Sequence, residues 1–117
     1  MTNDTDRMDL VFDECRKYFT NERLREVLVD SYGAIPSYMH DGLVAYIADG
    51  YQPGNFLYCV LTNDLRGAVN HADGSNRAAL ADYVVFLTNN APAACWCSED
   101  KVTSWLEAGD RSRRRKT

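Results

Sequence analysis

Residues 50–73 read GYQPGNFLYCVLTNDLRGAVNHAD, and their pattern decides the fold class. Pro53 follows a Gly50-Tyr51-Gln52 hinge and suits the first position of a helix, where its missing N–H would have no partner anyway. From there Phe56, Leu57, Val60, Leu61, Leu65, Ala68, Val69 and Ala72 recur about every four positions, the spacing of one apolar helical face. The pattern predicts a continuous rod of about 20 residues, ~30 Å long at 1.5 Å per residue. Gly67 is its weak point, about 1 kcal/mol worse than alanine, and a break within residues 63–67 is the alternative.

Working outward, the preceding helix opens at Pro36, carries Leu43, Tyr46 and Ile47 on one face, and stops at Gly50. Before it, Met8, Val11, Phe12, Cys15 and Phe19 predict a helix over residues 7–19. Thr20 or Asn21 then caps a second, with Leu24, Val27 and Leu28 facing inward and an end at Gly33. After the rod, Asp73-Gly74 is a turn and Ser75 caps a helix whose buried side is Leu80, Tyr83, Val84 and Leu87. Residues 91–97 form an apolar loop, and Ser98 caps a short last helix through Val102, Trp105 and Leu106 that ends at Gly109. No stretch alternates in the manner of a strand. The expectation is an all-α single compact domain of five to six helices over residues 1–110.

The 117 residues suffice for one modest core, and 45% hydrophobic with 26% charged residues is an ordinary globular balance. No run of about 18 apolar residues is present, so no membrane span is expected. The polar, acidic start Met1-Thr2-Asn3-Asp4 is unlike a signal peptide, which leads to the expectation of a cytoplasmic protein with reduced thiols. Charge is uneven. Residues 111–117 hold five of the 13 basic side chains, which leaves 8 against 17 acidic ones, a net of −9, in the rest. Residues 111–117 read as a solvated, disordered basic tail; the same charges can instead touch phosphate or fold back on the acidic body.

No motif for catalysis accompanies these elements. A zinc site needs four thiolate or imidazole ligands, commonly in pairs two to four residues apart. Here Cys95 and Cys97 form one Cys-x-Cys, and His40 and His71 stand far away. A cysteine nucleophile needs a base that nothing in the sequence places beside Cys97. No phosphate loop is present. No metal, cofactor or catalytic residue is therefore expected.

The polar groups that interrupt the rod are the candidates for function. Asn63 and Asp64 break the apolar spine, Arg66, Asn70 and His71 follow, and Asn76 and Arg77 open the next helix. They read either as local caps and ion pairs or as a polar notch between helices. Trp96 joins the set from a group of aromatic residues that serve the core or anchor an interface: Tyr32, Tyr38, Tyr46, Tyr51, Tyr58, Tyr83, Trp96 and Trp105.

Ile35-Pro36, Gly42-Leu43, Tyr46-Ile47, Pro53-Gly54, Asn63-Asp64-Leu65, Ala91-Pro92 and Cys95-Trp96 together resemble a small, largely uncharacterised family of phage and prophage proteins. The resemblance covers residues 35–106. It implies a small viral accessory protein acting in the host cytoplasm and carries no activity. Where glycine is usual in that family this chain has Cys97, which counts against a metal role for the thiol. The expectation is a non-enzymatic accessory protein that binds a host protein or itself as a homo-oligomer, with an anti-defence or host-modulating role. A small-molecule or nucleotide sink at the notch is the second reading, and an acidic decoy of a nucleic-acid-binding protein the third. Direct nucleic-acid binding is expected only through the basic tail.

Overall fold

Thr20 and Ser98 cap helices as their positions predict: each hydroxyl accepts the N–H three residues on, from Arg23 and Lys101. The computed structural model describes residues 4–116, so residues 1–3 and Thr117 lie outside the described residues. These contain eight α-helices: α1 (Asp4–Arg16), α2 (Asn21–Ser31), α3 (His40–Asp49), α4 (Asn55–Leu61), α5 (Leu65–His71), α6 (Gly74–Ala78), α7 (Leu80–Asn90) and α8 (Glu99–Arg115). Two 3-10 turns, Ser37–Met39 and Ala93–Cys95, complete the set, and no strand occurs among the described residues. The class is all-α, with eight helices in place of five to six.

The extra helices come from breaks that apolar spacing does not register. The long rod is two helices, α4 and α5. The predicted fifth helix is α6 and α7, parted at Ala79, and its cap is Asp73, whose carboxylate accepts from Asn76 N–H at 2.8 Å. Pro36 opens the 3-10 turn and α3 begins only at His40; Gly54 is the N-cap of α4, so Pro53 stands outside that helix.

One core runs through the described residues, and aromatic side chains with a polar end tie it together. Trp105 of α8 lies against Phe12 of α1, ring centroids 4.7 Å apart. Its indole N–H donates to Tyr46 O of α3 at 2.9 Å, and the Tyr46 hydroxyl donates to Cys95 O at 2.6 Å. Both rings are fully buried, so each polar end needs the partner it has. No buried side-chain polar atom among the described residues lacks a partner.

The crossing of α3 and α8 depends on two glycines. Gly50 ends α3 in the left-handed region (φ +69°), its N–H donating to Tyr46 O at 2.9 Å. A Cβ at Gly109 would fall 2.8 Å from Asp49 O and 2.8 Å from Gly50 Cα, so the helix backbones touch there. Gly109 is therefore not a stop. It is the contact, and α8 continues through buried Ser112 to Arg115.

The basic residues expected in a disordered tail consequently belong to α8, as far as Arg115, and meet acidic groups of the same chain. Arg111 pairs with Asp9 at 2.8 Å, and Arg115 reaches Asp9 at 3.1 Å and Asp13 at 3.2 Å. Arg113 donates to Asp49 O at 2.6 Å and stacks 4.1 Å from the Tyr51 ring centroid. From α1, Arg16 donates to Ala48 O at 3.1 Å and pairs with Asp49 at 2.7 Å. The C-terminal carbonyls of α3 thus receive two guanidinium groups, as the negative helix end favours.

Candidate functional site

Asn63 and Asp64 form a stop and a start in consecutive positions. Asn63 takes φ +64°, a left-handed conformation that asparagine tolerates better than most residues. The chain then closes α4 with Asn63 N–H on Val60 O at 3.2 Å and Asp64 N–H on Cys59 O at 2.8 Å, the paired bonds of a left-handed helix end. Asp64 at once begins α5, its carboxylate accepting Gly67 N–H at 2.9 Å. Gly67 leaves the space for this cap: a Cβ there would overlap the Asp64 carboxylate and lie 2.8 Å from Cys59 Sγ. Cys59 is buried, and burial first, then Asp64 beside it and hydrogen-bonded to it, raises the thiol above its ordinary value. That thiol is protonated and unreactive at neutral pH.

The outgoing end of α4 is held from outside as well. Cys97 N–H donates to Leu61 O at 2.7 Å, and to do so Cys97 adopts φ +90°, where a side chain is strained and glycine is not.

The remaining sequence-predicted residues do not converge on a notch. Arg66, Asn70 and His71 stand exposed on α5. Asn76 is buried, with its Oδ1 accepting from the Tyr83 hydroxyl at 2.7 Å, so it is a satisfied core group. Arg77 caps α5, donating to Ala72 O at 3.3 Å and Val69 O at 3.4 Å. Trp96 is half-buried against the core. Asp73, which starts α6, accepts a hydrogen bond from the Tyr38 hydroxyl; that bond and then the Asn76 N–H hold its carboxyl below the ordinary 3.8. Among the described residues no group of three or more His, Cys, Asp and Glu side chains is placed to hold a metal, and no helix is long and apolar enough to cross a membrane.

What the elbow does build is an apolar depression of about 50 Å³ between α4, α5 and α7. Cys59, Val60, Leu65, Ala68, Leu80 and Val84 line it, with Asn63 and Asp64 on its rim. Leu65 is 68% exposed and Val84 45%. Apolar spacing alone puts both on buried faces. The periodicity that aligns Leu65 with Leu61 and Ala68 fails because the helix axis changes at Asn63, and Val84 lies one position beyond the buried Tyr83. A left-handed asparagine followed by an Asp-x-x-Gly cap is the signal that locates the elbow in sequence. Comparison of the chain with protein-family models, curated proteins and solved structures finds no match.

Proposed function

We propose that this chain is a non-enzymatic accessory protein of phage type that works in the host cytoplasm by binding a protein, either a host component or a second copy. The observation that carries the reading is the pair of large apolar side chains, Leu65 and Val84, exposed around a depression with few polar groups. Large apolar side chains grouped on a surface mark contact sites, whereas single exposed ones are ordinary. The caps at Asn63 and Asp64 pre-set the shape of this surface, which lowers the ordering cost of association. Asp64 and Asn63 on the rim supply the polar border that such contacts have.

The depression is far smaller than the ~300–1,000 Å³ of common small-molecule sites, so the nucleotide-sink reading has little support there. The acidic-decoy reading is weakened by Asp9, Asp13 and Asp49, whose charges are engaged by Arg111, Arg115 and Arg16.

Leu65→Asp is the decisive variant. Sedimentation of the purified protein reads self-association, and co-purification from the expression host followed by mass spectrometry reads a heterologous partner. Burial of one leucine contributes about 1.5–3 kcal/mol, so whichever contact the wild type makes should weaken ~10- to 100-fold with the helical circular dichroism unchanged. Equal behaviour of wild type and variant in both assays overturns the assignment.

A further inference from the structure

The opposite end of α7 carries a second, chemically different concavity. A cavity of about 240 Å³ opens between the α1–α2 connection with the first turn of α2 and the last turn of α7, lined by Tyr18, Phe19, Arg23, Leu24, Asn89 and Asn90. We propose that it binds a small monocarboxylate with a single aromatic or apolar body and a hydrogen-bond donor at the far end, the chemistry of 4-aminobenzoate.

Three observations define that ligand. First, the Arg23 guanidinium has no ion-pair or hydrogen-bond partner among the described residues, unlike Arg16, Arg25, Arg111 and Arg115. Its planar fork matches a carboxylate with two parallel bonds. Second, Tyr18 is 60% exposed and Phe19 half-buried against the core, so the wall beside Arg23 offers aromatic surface to a flat ring, while Leu24, 2% exposed, stays with the core.

Third, the far wall accepts hydrogen bonds. Asn90 Nδ2 donates to Phe86 O at 3.3 Å and to the Tyr32 hydroxyl at 3.2 Å. Only the nitrogen can face a carbonyl, so the carboxamide orientation is fixed and Oδ1 is left as an acceptor with no partner among the described residues. α7 also ends here, and the negative pole of its backbone favours a donor over a second anion. The cavity thus sets a guanidinium on its α2 side against the Asn90 carboxamide oxygen on its α7 side, where the Asn89 Nδ2 also donates to the Tyr32 hydroxyl at 3.5 Å. A phosphate, anionic over its whole surface, suits it less. The volume admits one ring and excludes a nucleotide.

The test is a 1H–15N titration of the ¹⁵N-labelled protein with 4-aminobenzoate. Saturable shifts confined to Tyr18, Phe19, the first turn of α2 and Asn89 and Asn90 are expected. 4-Aminobenzamide, which lacks the anion, and the Arg23→Gln protein should each bind about tenfold or more weakly, as loss of a charge-assisted pair requires. 4-Methylbenzoate, which lacks the donor, should bind several-fold more weakly. Arg23 is exposed, so the variant should fold, and its amide spectrum verifies this. Absence of saturable shifts up to about 10 mM, shifts centred elsewhere, or equal affinity of Arg23→Gln overturns the proposal.

Discussion

The α4–α5 elbow and the α3–α8 crossing both bring polar residues to a place where helices meet, yet they use them in opposite ways. At the elbow three polar groups serve the backbone within a few positions: Asn63 ends one helix, Asp64 starts the next, and Arg77 covers the carbonyls at the end of α5. Along α8 the charged groups act across the whole chain, Arg111 on Asp9 of α1 and, at the crossing itself, Arg113 on Asp49 O of α3. Local use of polarity leaves apolar side chains at the surface, as Leu65 and Val84 are. Long-range use draws two helices into backbone contact at Gly50 and Gly109. Polar residues in mid-helix thus mark a bend more readily than a binding site, and a run of arginines can be the seam of a fold.

The largest effect should come from breaking the crossing. Gly109→Ala places a methyl 2.8 Å from Asp49 O and from Gly50 Cα, where backbone must move. Overpacking of this kind costs roughly 1–3 kcal/mol and occasionally more, and the upper end is expected because no flexible side chain yields. Urea denaturation followed by circular dichroism measures it; a change below about 0.5 kcal/mol would show that the helices separate freely.

Gly67→Ala is the matching change at the elbow, and its sign discriminates. Helix propensity alone predicts a gain of about 1 kcal/mol. Loss of the Asp64 cap and displacement of Cys59 predict a net loss of about 1 kcal/mol, similar to that of Asp64→Ala. Because both substitutions remove the same cap, the double variant should lose clearly less than the sum of the two. Additive losses would mean that the glycine and the carboxylate act separately.

Cys97→Gly should raise stability, by roughly 1 kcal/mol, since glycine adopts φ +90° without strain and keeps the N–H on Leu61 O. A thermal shift downward would show that the exposed side chain contributes more than its strained backbone costs.

The smallest effect concerns Asp73, a local cap like Asp64 with a hydroxyl added. Its carboxyl lies below 3.8 in the folded protein because the Tyr38 hydroxyl and then the Asn76 N–H favour the charged form. Its stabilising contribution is therefore complete above the unfolded value and lost as pH falls through the lower folded one. Carboxyl ¹³C titration should give a midpoint below 3.8 that moves upward in Tyr38→Phe, with a small loss of stability at neutral pH that fades as pH falls through the midpoint. An unmoved midpoint would assign the effect to the backbone N–H alone.

Much of the architecture is legible in the residues. Thr20, Gly50 and Ser98 act where helix-end chemistry puts them, and the apolar rows of α3 and α4 face the core. The elbow is legible only as an alternative, because α4 and α5 share one apolar rhythm across the break and φ at Asn63 leaves no trace in hydrophobic spacing. The continuation of α8 is hidden by its own small residues. Ala108, Gly109 and Ser112 extend the buried stripe of Val102 and Trp105, yet a glycine there resembles a terminator until its neighbour Gly50 is known. The candidate surface is half legible. Its rim, Asn63 and Asp64, stands out by polarity, while Leu65 and Val84 carry no sign that they are uncovered.

The junction of Trp105 with Phe12 also sets a timetable for synthesis. These rings are 93 positions apart, and the carbonyl that Trp105 binds, Tyr46 O, lies 59 positions upstream. A ribosome adding about 5–20 residues per second has finished α1 to α7 before Trp105 exists. Until it emerges, the nascent chain carries Phe12 and Tyr46 without their cover, and a chaperone has its opportunity before α8 arrives.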